Sequence, residues 1–195
     1  LDSKVVEMCR QYLPSHSNGA FDDPRAEVLH QDARQYLTLT QESYDVIILD
    51  LVDPLEEGTA YTLYTREFYE IARSTLRPGG ILVTQSGPAS LLNHTECFTP
   101  IVHTLSEIFS RVRPYTIYVP SFVSPWAFTI AFTESEPRNY NPEEVDSLIL
   151  QRFSTSLRFY DGITHRHMFA LPTYLREGIA LEERIVTDEN PVFMI

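Results

Sequence analysis

The stretch "YDVIILDLVDP", residues 44–54, constrains the fold of this chain more than any other. Val46, Ile47, Ile48 and Leu49 form a continuous, largely β-branched apolar run, too short for a typical helix, and Asp50, Asp53 and Pro54 end it abruptly. That pattern predicts a central parallel strand covered on both faces. A carboxylate placed directly after such a strand is anchored rigidly and points beyond its carboxyl end.

The flanking sequence repeats the theme. Val5, Met8, Cys9, Tyr12 and Leu13 recur at helical spacing behind an Asp2 or Ser3 cap, with Pro14 as the stop. The alternation in "AEVLH" predicts a short strand, and a helix is expected over "ARQYLTL". Thr65 is placed to cap "REFYEIARSTL", and "RPGG" reads as its stop before the strand "ILVTQ". The helix "CFTPIVHTLSEIF" leads to "RPYTIYV" and "WAFTIAF", which have little room for a crossover helix between them and so predict an antiparallel pair. The polar, Pro-containing "ESEPRNYNPEE" then links to a helix around "EVDSLILQRF" and a final aromatic-rich stretch. Strands alternating with helices indicate a doubly wound α/β sheet, whose ligands bind beyond the carboxyl ends of the strands.

Composition narrows the function. With 27 acidic against 15 basic residues the net charge is −12, which disfavours nucleic acid and anionic membrane surfaces and favours cationic ligands or plain solubility. No apolar run approaches the length of a membrane span. Two distant cysteines, Cys9 and Cys97, suit buried thiols in a reducing compartment, which points to the cytoplasm. The sequence opens on a cap and helix without an initiator Met, as though a segment upstream had been removed.

Asp50 and Asp53 together can fix a cation, and a like charge nearby makes one of them a better proton acceptor. Asp32, after "AEVLH", either caps the next helix or, with the N–H of Ala33, addresses an adenine edge. Gln85 in "VTQSGP" ends a third strand, as a structural amide or a ligand contact. Trp126 belongs to the core or, beside acids, to an amine-binding wall. His165 and His167 lack partners at ligand spacing, so no metal is expected. There is neither a G-x-S-x-G elbow nor a Walker lysine motif.

The segments "YDVIILDLVDP", "LYTREFYE", "LRPGGILVTQSGP" and "YTIYVPSF", with Asp32-Ala33 before them, resemble the polyamine aminopropyltransferases, the spermidine and spermine synthases. "DLVDP", "AYTLYT", "TQSGPA" and "VPSF" look most like the thermospermine synthase branch. The resemblance implies a class I methyltransferase-like (Rossmann-like) fold, mostly parallel with an antiparallel C-terminal strand pair and lacking its first strands. Residues 1–133 would form the catalytic domain and 134–195 an extension packed on it. It also implies transfer of an aminopropyl group from decarboxylated S-adenosylmethionine to putrescine or spermidine, with release of methylthioadenosine and no tightly bound cofactor. Asp50 would be the base, Asp53, Gln85, Phe122 and Trp126 would hold the amine, and Asp32, Ala33, Leu51 and Thr59 the cosubstrate.

Three departures stand out. Phe122 replaces a tyrosine usual in spermidine synthases, which favours a longer acceptor; Thr59 replaces a proline; and the loop "LEEGTAYT" looks two residues longer. The family's N-terminal β-hairpin domain and Gly-rich turn are not in these residues, so the chain alone is expected to be inactive or nearly so. At least a dimer is expected, from exposed edges and from the family's habit. The rival readings are an S-adenosylmethionine-dependent methyltransferase and a non-catalytic binding module of the same fold.

Overall fold

The computed structural model describes residues 2–134 and 138–194. Two compact units are present, Leu1–Thr40 and Gln41–Ile195. In the first, α1 (Ser3–Tyr12), α2 (Pro14–Ser17) and α3 (Ala33–Leu39) are joined by turns. Asp2 caps α1 through the N–H of Lys4. Pro14 ends one helix and opens the next, since it lacks the N–H an interior position needs but suits a first turn. The strand expected over "AEVLH" is not formed: residues 26–30 carry no regular structure, and this unit has no strand among its described residues to supply a ladder.

The second unit is an α/β sheet with the order β1-β2-β4-β3. Its strands are β1 (Tyr44–Leu49), β2 (Leu76–Pro88), β3 (Arg111–Val119) and β4 (Ser124–Phe132). β1 and β2 pair in parallel, and β4 runs antiparallel to both β2 and β3, so three strands point one way and one against them. The antiparallel C-terminal pair is as the sequence indicates.

Two expectations need correcting. β1 is an edge of this sheet rather than a central strand: Ile47 and Leu49 are buried, but Val46 is 48% and Ile48 69% exposed. The apolar run reflects strand preference on both faces, whereas cover on each face depends on what packs there. "RPGG" is likewise no stop outside the strand. The helix before it ends at Ser74, and Arg77–Gly80 are taken into β2 as an irregularity between the pairs Tyr44–Leu76 and Val46–Ile81.

The core lies on the sheet face that carries Leu82, Thr84, Ala127 and Ala131, all fully buried. α4 (Arg66–Ser74) and α5 (Phe98–Ile108) cover it with Phe68, Tyr69, Phe98, Ile101 and Leu105, each with no exposed surface. After β4 come α6 (Pro142–Arg152), α7 (Gly162–Phe169) and α8 (Thr173–Leu181). Leu171 and Leu175 join the Phe98–Ala127 cluster, so the C-terminal helices belong to the same unit as the sheet.

Candidate active site

β1 delivers Asp50 directly after Leu49, and the loop that follows is held from several sides. Pro54 is buried and its carbonyl accepts the N–H of Met194 at 2.9 Å, while Phe193 packs edge-on against Tyr61 at 5.5 Å. The C-terminal segment therefore fixes the far side of the acidic loop.

The near side is fixed by Gln85, which is 5% exposed in β2. Its Nε2 faces the Leu51 carbonyl at 3.3 Å, Asp53 Oδ1 at 3.2 Å and the Tyr64 hydroxyl at 2.5 Å. Its Oε1 accepts from Trp126 Nε1 at 2.8 Å and from the Gly87 N–H at 3.1 Å. Every neighbour of the oxygen is a donor, which sets the amide's orientation. Tyr64 gives its own proton to the Val52 carbonyl at 2.9 Å. Three successive residues, Leu51, Val52 and Asp53, are thus pinned by the Gln85–Tyr64 pair.

Gly87 is required where it stands. Its φ of +89° lies in the left-handed region, the β2–β4 register shifts between Gln85 and Gly87, and a Cβ there would meet Cys97 Cβ at 3.0 Å. Burial pushes the Tyr64 phenol upward; the Gln85 hydrogen bond opposes this, and the negative charges of Asp53 and Asp50 add to it. Burial, Glu96 and Asp53 together push the Cys97 thiol up to about 12, which keeps it protonated and unsuited to nucleophilic chemistry.

The structure brings Leu51, Asp53, Gln85 and Trp126 into one hydrogen-bonded group, with the Phe122 ring 4.5 Å from that of Trp126. Phe122 is half exposed, so one aromatic of the pair is core and the other faces outward. Asp50 is exposed and makes no hydrogen bond or ion pair among the described residues, which leaves its oxygens available to a proton or a cation. Thr59 is exposed, and its carbonyl starts the 3₁₀ turn Ala60–Leu63 that leads to Tyr64. Asp32 and Ala33 lie in the first unit, where Asp32 caps α3 by accepting the Gln35 N–H at 2.8 Å.

Tyr64 and Gly87 are the members of this group that sequence reasoning did not single out. A tyrosine just before a helix cap carries no pattern of its own; only "GP" after Gln85 hinted at a special backbone. Among the described residues no group of three or more His, Cys, Asp or Glu side chains is placed to hold a metal, and no helix is long and apolar enough to cross a membrane. Asp161, four residues before His165, caps α7 instead.

Proteins similar to this chain are numerous. The polyamine aminopropyltransferase of Synechococcus sp. (strain JA-3-3Ab) is 41% identical over 197 residues, covering 98% of this chain and 62% of the relative. Polyamine aminopropyltransferase 2 of Hyperthermus butylicus is 40% identical over 194 residues, with 100% and 63% covered. The chain thus spans about 62% of the length of these relatives. A spermidine synthase solved in complex with the transition-state analogue AdoDATO has a TM-score of 0.77 at 29% identity, covering 93% of this chain and 59% of that one. The spermidine synthase of Thermotoga maritima has a TM-score of 0.73 at 27% identity, covering 93% and 58%. The spermine/spermidine synthase domain matches residues 1–142, and with the α/β fold and the acidic loop at the end of β1 the chain belongs to that family.

Proposed function

We propose that this chain carries the catalytic half-site of a polyamine aminopropyltransferase. The donor is decarboxylated S-adenosylmethionine and the acceptor a primary amine of putrescine or spermidine. The amine nitrogen attacks the CH₂ bound to the sulfonium, the C–S bond breaks with its electron pair going to sulfur, and methylthioadenosine leaves. The proton lost from nitrogen goes to Asp50. An alkylammonium is not nucleophilic until it loses that proton, so a fixed carboxylate supplies both acceptance and orientation.

The observation that carries the reading is the Gln85 network, which holds Asp53 and the backbone after Asp50 in one geometry. Asp53, oriented by Gln85, presents negative charge to the amine chain, and Phe122, backed by the buried Trp126, forms an apolar wall along its methylenes. Leu51, Thr59, Asp32 and Ala33 are assigned to the nucleoside. The AdoDATO complex of a related spermidine synthase supports a donor of this class. Phe122, which has no hydroxyl, favours spermidine or a longer amine over a diamine, as in the thermospermine branch. A homodimer or larger homo-oligomer in the cytoplasm is part of the same proposal.

The test is calorimetric titration with methylthioadenosine, alone and with spermidine, followed by incubation with decarboxylated S-adenosylmethionine and a panel of amines. Saturable binding that spermidine strengthens, and methylthioadenosine among the products, would support the reading. Methyl transfer from S-adenosylmethionine would replace it, and saturable binding with no transfer in any longer form of the protein would leave a binding module.

A further inference from the structure

Glu96 stands immediately before Cys97, the N-cap of α5, on the loop that leads out of β2. Its N–H closes a turn on the Asn93 carbonyl at 3.0 Å, and one carboxylate oxygen, Oε2, is shut off from solvent without a hydrogen-bond partner among the described residues. A carboxylate oxygen taken out of water without a donor costs free energy. A fold that retains one is explained by a donor that arrives from elsewhere.

The surroundings of Glu96 say what that donor is. Cys97 is fully buried against Gly87, whose N–H is bonded to Gln85 Oε1, and Gln85 Nε2 in turn faces Asp53 Oδ1 at 3.2 Å. Glu96 is thereby linked to the acidic loop through Cys97, Gly87 and Gln85. After burial it is the charge of Glu96 and then that of Asp53 that push the Cys97 thiol upward, so both carboxylates act on one sulfur. Arg184, whose charge opposes them there, is engaged by Glu182 and by the Thr95 carbonyl. Like charges gathered in this way are relieved by a cation. A linear polyamine carries ammonium groups separated by methylenes, and each ammonium brings the N–H donors that the Glu96 oxygen lacks. Glu96 is partly exposed and the last torsion of a glutamate is broad, so its carboxylate can turn toward a cation that enters along the acidic loop.

We propose that Glu96 binds the distal ammonium of the acceptor and selects a triamine over a diamine. The inference rests on the aminopropyl-transfer reading and deepens it: Asp50 serves the reacting nitrogen, Asp53 the next, and Glu96 the third.

The test is calorimetric titration of the unaltered chain, Glu96→Gln and Asp50→Asn with spermidine and with putrescine, methylthioadenosine being present and ionic strength held constant. Glu96→Gln should weaken spermidine about tenfold, the loss of one charge-assisted contact, and leave putrescine and methylthioadenosine binding as they were. Glu96→Asp, which keeps the charge on a shorter stem, should lie between the two. The urea midpoint of Glu96→Gln should be no lower than that of the unaltered chain, because a buried oxygen without a donor is not holding the fold together. Equal weakening of both amines would reduce Glu96 to a general field, and a lowered urea midpoint with unchanged spermidine binding would make it structural. Either result would overturn the inference, and weakening of both amines by Asp50→Asn would then leave the aminopropyl-transfer reading standing. Absence of amine binding by the unaltered chain would overturn both.

Discussion

Asp50 and Asp53 are three residues apart yet are held differently. Asp53 is tied to Gln85, whereas Asp50 extends from the strand end with its oxygens unengaged among the described residues. That difference suits one carboxylate to positioning and the other to taking a proton. Wherever aminopropyl transfer is measured, Asp50→Asn should lower kcat by about 10²–10⁴-fold with little change in donor KM. An equal fall in kcat for Asp53→Asn with unchanged amine KM would contradict the division of roles. Tyr64 acts through others: Tyr64→Phe strips the Val52 carbonyl of its donor and leaves Gln85 one acceptor fewer. It should cost about 1–3 kcal/mol in urea unfolding, since the site is buried. The position of Asp50 at a strand end was readable from an apolar run that stops at a polar residue; Gln85, read the same way, lies inside β2, which runs on past the register shift to Pro88. The bonds of Tyr64 were not readable, because they join residues more than ten apart without any periodic signal.

At the scale of elements, the helices followed their caps. Thr65, Asn141 and Asp161 accept N–H groups at the starts of α4, α6 and α7, and Asn141 with Glu144 forms a reciprocal capping box. Local chemistry of this kind is legible in sequence because donor and acceptor lie within one turn. Two strand readings went astray for the opposite reason: "AEVLH" has the alternation of a strand but no ladder, and "RPGG" has the look of a stop yet is absorbed as a bulge in β2. Packing between α6 and α7 is equally invisible in sequence. A Cβ on Gly162 would lie 2.0 Å from the Pro142 carbonyl oxygen, and the Gly162 N–H is bonded to Asp146 Oδ1 at 2.7 Å. Gly162→Ala must therefore push the two helices apart and should destabilise the chain by about 1–3 kcal/mol. An unchanged urea midpoint would show that the helices are not held in this contact.

Across the larger unit, the C-terminal segment closes the fold. Val186 accepts from the Arg66 N–H and its own N–H donates to Thr104, while Asp188 accepts from Thr65. Glu182 accepts from Thr99 Oγ1 at 2.6 Å and from Arg184 Nη2 at 2.7 Å. Burial alone would raise its pKa, but the bonds from Arg184 and Thr99 outweigh burial and bring the carboxyl down to about 2. A depressed carboxyl stabilises the fold above its unfolded value, here 4.5, and that contribution is lost as pH falls toward 2. Glu182→Gln should lower stability at neutral pH and flatten its decline across that window, measured by urea unfolding at stepped pH. A parallel decline in both proteins would refute the linkage. The bare face of β1 makes a further expectation: Ile48→Lys should reduce self-association in sedimentation equilibrium, since Ile48 is exposed on an edge strand.

The sequence contains one tryptophan, so a single indole N–H resonance reports on the Gln85 oxygen beside the acidic loop. The most direct measurement is to follow that signal while spermidine is added with methylthioadenosine present, in the unaltered chain and in Asp50→Asn. If Asp50, Asp53 and Gln85 form an amine site, the indole resonance moves to saturation and Asp50→Asn weakens the midpoint about tenfold. A resonance that does not move, or identical titrations of the two proteins, would contradict the assignment of this strand end as the amine-binding catalytic site.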